Sequence, residues 1–405
     1  MNITASDIVK TFSTQRRKYL DIDEYNTDAE FSKQRKMIAQ KINEWTYSDQ
    51  PDSKIQHFVS DKMKDEESIS ELFDFFIQQN NQHTFIAKLK NSQFDKNIFF
   101  VKTIRFDKLS SVYKHSDFVI EAYINVLLNK LASKIRNFVI IHATFKCGLP
   151  TKIEDNLYQW CSQKSCNGYI MLENIEHAVA LNQFVLKTET KNLMNVFIQI
   201  ACALRLAKTT LNFSHNDLSS KNIMIQRFEK EQIIRIYTPH GLRAIKSHYL
   251  AKIIDFEYSS IEIKTNNMIG INHAIENNGL RDCQIHEEFF YLLIDTYFEL
   301  AQKNNFYNPI TGQKEKKMLA MESKSEKNEA MEKEYENYQD LFKLFERIHC
   351  LFSYECLNNL CLFANNMSGM FRHVLYVENE IETFDKIINS MIDMKYVKLY
   401  KIKHE

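Results

Sequence analysis

Residues 214–225 read Ser-His-Asn-Asp-Leu-Ser-Ser-Lys-Asn-Ile-Met-Ile, and about thirty residues further on Lys252–Tyr258 reads Lys-Ile-Ile-Asp-Phe-Glu-Tyr. The pair constrains the fold tightly, because three oxygen-bearing side chains, Asp217, Asn222 and Asp255, must converge from two separate loops. Phosphoryl transfer gives that convergence a chemical reason. A loop aspartate accepts or orients the attacking hydroxyl, an asparagine oxygen takes one divalent ion, and a later aspartate takes ions that bridge the phosphates. Mg²⁺ wants hard oxygen ligands and keeps several waters, so two or three protein oxygens suffice when a nucleotide supplies the rest. Ile223–Ile225 and Ile253–Ile254 are then expected as short strands that anchor the loops. His-x-Asp-x-x-x-x-Asn alone arises by chance in many long chains; the weight lies in its pairing with an Ile-Ile-Asp-Phe strand end.

The rest of the chain supplies an order of elements around these loops. Residues 1–68 read as a polar, helical N-terminal extension, with Ile8, Tyr19, Ile38, Ile42 and Trp45 in partial helical register before a break at Asp49–Asp52. Residues 69–173 follow as a small antiparallel-sheet unit. Leu72–Ile77, Thr84–Leu89 and Ile98–Ile104 are β-branched or aromatic runs, and Val139–Ala143 and Tyr169–Leu172 are two more. Between them Ile120, Ile124, Leu127, Leu128 and Leu131 form a helical stripe. Residues 174–405 read as mainly helical, with apolar helices at 193–211, 287–301 and 341–364 and a charged insertion near 313–338, rich in Lys and Glu. Strands first and helices afterwards predict an α+β chain.

Composition removes several function classes. A chain of 405 residues that is 44% hydrophobic and 12% aromatic can build a core of good size. Lys plus Arg total 52 and Asp plus Glu total 52, so no global field draws the chain to nucleic acid or to a membrane. No run approaches the roughly 18 apolar residues of a membrane span, and Met-Asn-Ile-Thr-Ala-Ser-Asp does not open like a secretion leader, so a soluble, unprocessed, cytoplasmic protein is expected. The eight cysteines are then free thiols, and Cys161/Cys166 and Cys356/Cys361 lack the Cys-x-x-Cys spacing of a zinc site. Glycine is scarce, seven in all and none before Gly148, which bears on any motif that needs glycine early in the chain.

The two loops resemble the protein-kinase superfamily, over about residues 70–300, and imply a two-lobed protein-kinase-like fold. That resemblance asks for a strand lysine on the nucleotide phosphates and a helix glutamate to hold it. Lys102 ends the run Ile98-Phe99-Phe100-Val101, and Glu121 opens the next helix nineteen positions on; Lys88, after Phe85-Ile86-Ala87, is a second strand lysine. Glu173 is placed by its order in the chain at the hinge where adenine meets backbone. The turn that would cradle the phosphates is Gln78-Gln79-Asn80-Asn81-Gln82-His83, without glycine, although Asn tolerates left-handed backbone and its amide can donate.

Within the superfamily the chain departs from ordinary eukaryotic kinases. Asn216 stands where the common pattern has Arg, no Lys lies two residues after Asp217, and the metal triplet is Asp255-Phe256-Glu257 with no Ala-Pro-Glu after it. Ile236-Tyr237-Thr238-Pro239-His240-Gly241-Leu242 with Lys252–Phe256 resembles haspin-type atypical Ser/Thr kinases and the kinase-like proteins of large DNA viruses, in which a polar hairpin also separates the two motifs. His215–Leu218 with Asn222, and Ile254–Ser260, resemble the choline and ethanolamine kinases as well; Ile269–Glu276 keeps part of the helix expected next there, with one residue inserted. The first resemblance implies an ATP- and Mg²⁺-dependent enzyme acting on a Ser or Thr hydroxyl of a protein, in a host cytoplasm or virion if the chain is viral. Asp217, Lys221 and His215 are then the catalytic set, Lys102, Glu121 and Glu173 the ATP-binding set, and Asn222 and Asp255 the metal ligands. The second implies a closed pocket for an ammonium group, with Tyr291, Tyr297 and Phe298 as wall candidates. A third reading, a binding or scaffold module without catalysis, follows from the missing glycines. Asp282, in Arg281-Asp282-Cys283, is a candidate brace for the catalytic loop or a surface cap for the helix after it.

Overall fold

β-branched and aromatic runs become strands and glycine-free apolar runs become helices, giving an α+β chain in two compact units. The computed structural model describes residues 73–78, 84–89, 98–105, 121–147, 151–154, 157–159, 167–263, 267–270, 285–303, 307–308, 313–314 and 379–402. The N-terminal extension, the Gln79–His83 turn, Asp282, the helix expected at 341–364 and most of the charged insertion lie outside them.

The first unit holds the described residues up to Ser133, Val139–Asn174 and those of Glu262–Ile271. Its sheet has seven strands: β1 (Phe73–Gln78), β2 (Thr84–Leu89), β3 (Ile98–Arg105), β4 (Ile141–Cys147), β5 (Thr151–Glu154), β6 (Leu157–Gln159) and β7 (Asn167–Glu173), in the order β4-β7-β3-β2-β1-β6-β5. Neighbouring strands of this sheet pair antiparallel throughout. Period-two alternation is visible on β2 and β3, where Phe85, Ala87, Phe99, Val101 and Thr103 are buried and the residues between them are not. Helix α1 (residues 121–129) is buried along its whole length, and Asn129 closes it onto β4 by donating to Ile141 O at 3.0 Å.

The second unit holds Lys134–Phe138, Ile175–Ile261 and the described residues from Ile285 on. Its centre is α3 (Thr190–Leu211), which follows β8 (Ala178–Ala180) and the single turn α2 (Leu181–Phe184). No Gly or Pro interrupts α3, and residues 193–204 are buried without a break, as expected of a core helix. Asn212 ends it in the left-handed conformation (φ 47°), its amide donating to Lys208 O at 2.8 Å. Against α3 pack α4 (Ile285–Lys303) and α5 (Glu380–Asp393), through Phe197, Phe289 and Phe384 in edge-to-face contact at 6.1 and 5.7 Å. Phe384, Ile387, Ile388 and Met391 form the buried stripe of α5, Asn379 caps it by accepting from Glu382 N at 3.1 Å, and Arg205 of α3 grips Asp385 with two nitrogens.

The short strands expected at Ile223–Ile225 and Ile253–Ile254 are the base of something longer. β9 (Ile223–Thr238) and β10 (Gly241–Ile253) form one hairpin, extended because Ile-Ile-Arg-Ile-Tyr and Leu-Arg-Ala-Ile-Lys alternate well beyond the loops. Its tip turns at Pro239-His240: Gly241 takes φ 92°, a region side chains avoid, and Thr238 Oγ1 accepts from His240 N at 3.2 Å. The sheet order is β15-β10-β9-β8, with β15 (Tyr400–Lys401) on β10 near the tip. The remaining strands are β11 (Ser260–Ile263), β12 (Asn267–Gly270), β13 (Tyr307–Asn308) and β14 (Gln313–Lys314). Among the described residues no helix is long and apolar enough to cross a membrane.

Among the described residues no named strand borders the outer edge of β10 near its base; Ile253 N donates to Asn137 O at 2.7 Å, and buried side chains serve the next backbone groups. Gln199 of α3 accepts from Ala251 N at 3.0 Å and donates to Tyr249 O at 2.9 Å, while Asn137 donates to Ala251 O at 2.9 Å and to Gln199 Oε1 at 3.3 Å. Gln199→Met keeps the volume but takes the side-chain partner from Ala251 N and Tyr249 O and one of two acceptors from the Asn137 amide. The loss expected in urea unfolding is about 2–4 kcal/mol, with the slope unchanged; a loss under 0.5 kcal/mol would show that the network is not what holds the edge.

Candidate active site

Both loops of the sequence motif are pinned at two places. At one end, Ile223 pairs with Ile253 at the hairpin base, and Ile254 N donates to Asn222 O at 3.0 Å. At the other, Ser214 and Ser260 exchange backbone hydrogen bonds of 2.9 and 2.8 Å, closing the loops on each other beyond the hairpin. Asp217, Asn222 and Asp255 lie between these clasps.

Each loop contains one residue in left-handed backbone, Asn216 (φ 64°) and Asp255 (φ 64°), a region Asn and Asp enter more readily than most side chains. Asn216 is secured on three sides. Its backbone amide donates to Glu288 Oε1, and its side-chain nitrogen donates to Tyr258 O at 3.0 Å and Ser260 Oγ at 3.1 Å. His215 is fully buried, with its Nε2 3.0 Å from Ile254 O, its ring against Phe256 at 5.5 Å and Phe213 at 6.3 Å, and its carbonyl accepting from Ser259 Oγ at 3.2 Å. Burial pulls the imidazole below its ordinary pKa, against the opposing pull of the Ile254 carbonyl and of Asp217 and Asp255. A neutral ring has one N–H to give; donated to Ile254 O, it ties one loop to the residue before Asp255.

Asn222 turns its nitrogen onto Asp217, donating to the backbone O at 2.8 Å and to Oδ2 at 3.1 Å. The amide oxygen is then left for another partner, and a hard cation is the partner an exposed amide oxygen beside two carboxylates suits. Partial burial raises the pKa of Asp217, with Asp255 and Glu257 adding to the rise, while His215 and the Asn222 hydrogen bond act against it. Three carboxylates close enough to feel one another, with an Asn oxygen among them, fit the donor set of Mg²⁺ held with help from phosphate oxygens. Protein groups alone do not complete such a site: among the described residues no group of three or more His, Cys, Asp or Glu is placed to hold a metal by itself. Lys221 is exposed on the same loop.

In the first unit, Lys102 Nζ lies 3.0 Å from both oxygens of Glu121, an ion pair between β3 and α1 in which the glutamate side chain is 2% exposed and the lysine 19%. Lys88 sits elsewhere on the sheet, opposite Ile98. Glu173 ends β7 across from Phe99, and its amide donates to Ile140 O at 2.8 Å. His215, Asp217, Lys221, Asn222 and Asp255 thus fall in the second unit, and Lys102, Glu121 and Glu173 in the first. Of the aromatic wall candidates Tyr291 is half-buried on α4, and the side chains of Tyr297 and Phe298 lie outside the described residues.

Two positioning residues escaped the sequence reading. Asp282 was the candidate brace for the loop, and it lies outside the described residues; within them α4 supplies Glu288 to Asn216 N and Asp295 to Ser220 N at 2.7 Å. Seven residues apart, the two carboxylates share one helix face. The available signal was acidic residues inside an otherwise apolar helix, which are seldom buried without a backbone amide to meet.

Glu288 is fully enclosed. Burial, reinforced by Glu380 and opposed by the Asn216 amide and Lys208, pushes its pKa up to about 8. The folded chain therefore holds this proton where the unfolded chain has lost it. Stability from this group is complete below the ordinary value of 4.5 and falls as pH rises toward about 8. Glu288→Gln keeps an acceptor for Asn216 N and removes the titration, so its urea stability should decline less than wild type between pH 5 and pH 8.5; parallel pH profiles would contradict this. Glu288→Ala orphans the amide and should cost about 1–3 kcal/mol.

No family model matches the chain. Sequence similarity is found to "Probable kinase 098L" of Invertebrate iridescent virus 3, 33% identical over 87 residues, which is 22% of this chain and 16% of that protein's length. A kinase-like relationship is supported over that stretch, a small part of either protein.

Proposed function

We propose that the chain is an ATP- and Mg²⁺-dependent phosphotransferase, an atypical Ser/Thr protein kinase on a kinase-like fold. In this reading the β1–β7 unit is the nucleotide-binding lobe and the α3–α5 unit the catalytic lobe. One observation carries it: the double clasp at Ile223–Ile253 and Ser214–Ser260 gathers Asp217, Asn222 and Asp255, with Asn222 hydrogen-bonded to the Asp217 carboxylate.

Asp217 would receive the acceptor hydroxyl on a carboxylate oxygen and take its proton as the hydroxyl oxygen bonds the γ-phosphorus, while the bond from the γ-phosphorus to the β,γ-bridging oxygen breaks and ADP leaves. A pKa raised by partial desolvation makes it a better base than a fully solvated aspartate. Asn222 Oδ1 and the Asp255 carboxylate are the protein oxygens for Mg²⁺, which when bound supplies charge neutralisation across the phosphates. His215 is neutral and acts by holding the Asp217 and Asp255 loops together rather than by moving a proton. Lys102, its ammonium oriented by both Glu121 oxygens, would be the group for the α- and β-phosphates. Glu173 ends the strand that leads to the adenine hinge, and Lys221 offsets charge on the γ-phosphoryl group. Asp217, Lys221 and Tyr258 are all exposed, which favours an acceptor arriving on a protein surface. A cytoplasmic setting, in an infected host or otherwise, suits an enzyme that draws on ATP.

Purified protein should transfer the γ-phosphoryl group of ATP to a generic Ser/Thr protein substrate in the presence of Mg²⁺. Asp217→Asn and Asp255→Asn should each lower the rate by about 10²–10⁴-fold, and Lys102→Met should weaken ATP binding. Transfer that survives both aspartate changes would sink the assignment. Transfer confined to choline or ethanolamine would move the acceptor to a small ammonium alcohol, and ATP binding with no transfer would identify a non-catalytic module.

A further inference from the structure

The outer half of the β9–β10 hairpin takes no part in the site just described. One of its faces is buried, through Ile234, Ile236 and Ile245. The other follows from the strand register in three rows: Ile233 beside Lys246, Arg235 beside Ala244 and Tyr400, and Tyr237 beside Leu242. Ile233 is 70% exposed in mid-strand, an unusual place for a branched apolar side chain, and Arg235 and Lys246 are exposed beside it.

Across these three rows charge has one sign; the exposed Glu229 and Glu231 precede them on β9, beside the bulge that ends the outer half. Lys246 and Lys398 stand over the Tyr400 ring at 5.5 and 5.4 Å, and Lys134 stands over Tyr237 at 5.9 Å. No carboxylate occupies any position of the three rows, and among the described residues Arg235, Lys246, Lys398 and Lys134 form no ion pair. The hairpin also has an open edge. β8 borders β9 only at Met224–Gln226, so the outer rungs of β9, residues 232–238, carry no further strand on that side among the described residues.

We infer that this edge and face receive an extended, acidic protein segment as an added β-strand. Its backbone pairs with the outer edge of β9. Alternate side chains lie over the exposed face, apolar ones on Ile233 and carboxylates beside Arg235 and Lys246. The same observations disfavour single-stranded nucleic acid, the other polyanion such a surface suggests. Lysine ammonium groups already stand over the tyrosine rings on which bases would stack, and Ile233 offers no aromatic plane. The inference is independent of phosphoryl transfer and holds for a catalytic or a non-catalytic chain.

Fluorescence anisotropy with the full-length protein tests it, using a labelled short peptide of alternating Glu and Val. Controls are the Lys-Val peptide, a Glu-Val peptide with a central Pro that cannot join a ladder, and oligo-dT. The Glu-Val peptide is expected to bind, more weakly as salt rises, while the Lys-Val and Pro peptides do not. Arg235→Glu and Lys246→Glu should each weaken it roughly tenfold, and Ile233→Thr, which keeps strand propensity, by a few-fold. These positions are exposed, so thermal unfolding should stay near wild type, and transfer activity, where present toward an unrelated substrate, should be unchanged. Absence of Glu-Val binding, equal affinity of the charge-reversed proteins, equal binding of the Pro peptide, or preference for oligo-dT would each overturn the inference.

Discussion

The pairing of Ile223 with Ile253 is the constraint on which the candidate site depends. Strands in a ladder lie about 4.8 Å apart, so the residues leaving this pair, Asn222 on one side and Ile254 on the other, emerge as neighbours whatever the length of hairpin between them. The site needs a second fixed point, because chain leaving a single rung can diverge at once. Ser214 and Ser260 supply it, and the intervening loops are then short enough for Asn216 and Asp255 to be forced into left-handed backbone. The two strained residues are thus explained by closure at both ends, and both carry side chains that tolerate that region.

Holding loops in such a shape leaves backbone amides facing the core, and buried polar side chains answer them. Glu288 meets Asn216 N, Asp295 meets Ser220 N, and His215 meets Ile254 O. Glu288 and Asp295 sit on a largely apolar helix and the His215 ring packs against Phe213 and Phe256, so each is oriented by packing as well as by its hydrogen bond. A further layer supports the brace. Glu380, at the start of α5, accepts from Ile285 N at the first residue of α4 and pairs with Lys208 at 3.3 Å, while Lys208 also reaches Ser214 Oγ at 3.5 Å. The C-terminal helix is therefore tied, through two polar contacts, to both the helix that braces the loop and the loop itself.

This layering decides what the sequence could reveal. Asp217, Asn222 and Asp255 were legible because the chemistry imposes residue types at short fixed spacings, and strands such as Ile98–Arg105 were legible because alternation is local. Lys102 and Glu121 could be nominated from order along the chain, although only geometry separates Lys102 from Lys88, since both end an apolar run on a strand. Glu288 and Asp295 were not legible. Their partners are backbone amides more than seventy residues away, and a backbone amide has no sequence signature. A polar hairpin between the motifs was implied by the resemblance, but strands there were expected only at Ile223–Ile225 and Ile253–Ile254, although Ile-Ile-Arg-Ile-Tyr alternates well beyond them. Strands β5 and β6 and the Tyr400–Lys401 strand are two to four residues long, below the length at which alternation can be read.

Length beyond the base of the hairpin calls for its own physical account. Three rungs, Ile223–Ile253, Met224–Lys252 and Ile225–Ala251, with β8 on one side and Gln199 on the other, are enough to set the spacing of the two loops. The remaining residues of β9 and β10 cost about 1–2 kcal/mol each in backbone entropy to order, and the candidate site gains nothing from them. Burial of Ile234, Ile236 and Ile245 and the β15 rungs offset that cost on one face only. On the other face, chain of the same regularity presents Ile233 and a group of cations that form no ion pair among the described residues. A hairpin kept only as a spacer would be free to shorten to its three rungs. One that stays long, ordered and cationic across its outer rows has a second constraint acting on it, separate from the first because the bulge between Ser247 and Tyr249 divides the ladder into a base and an outer half.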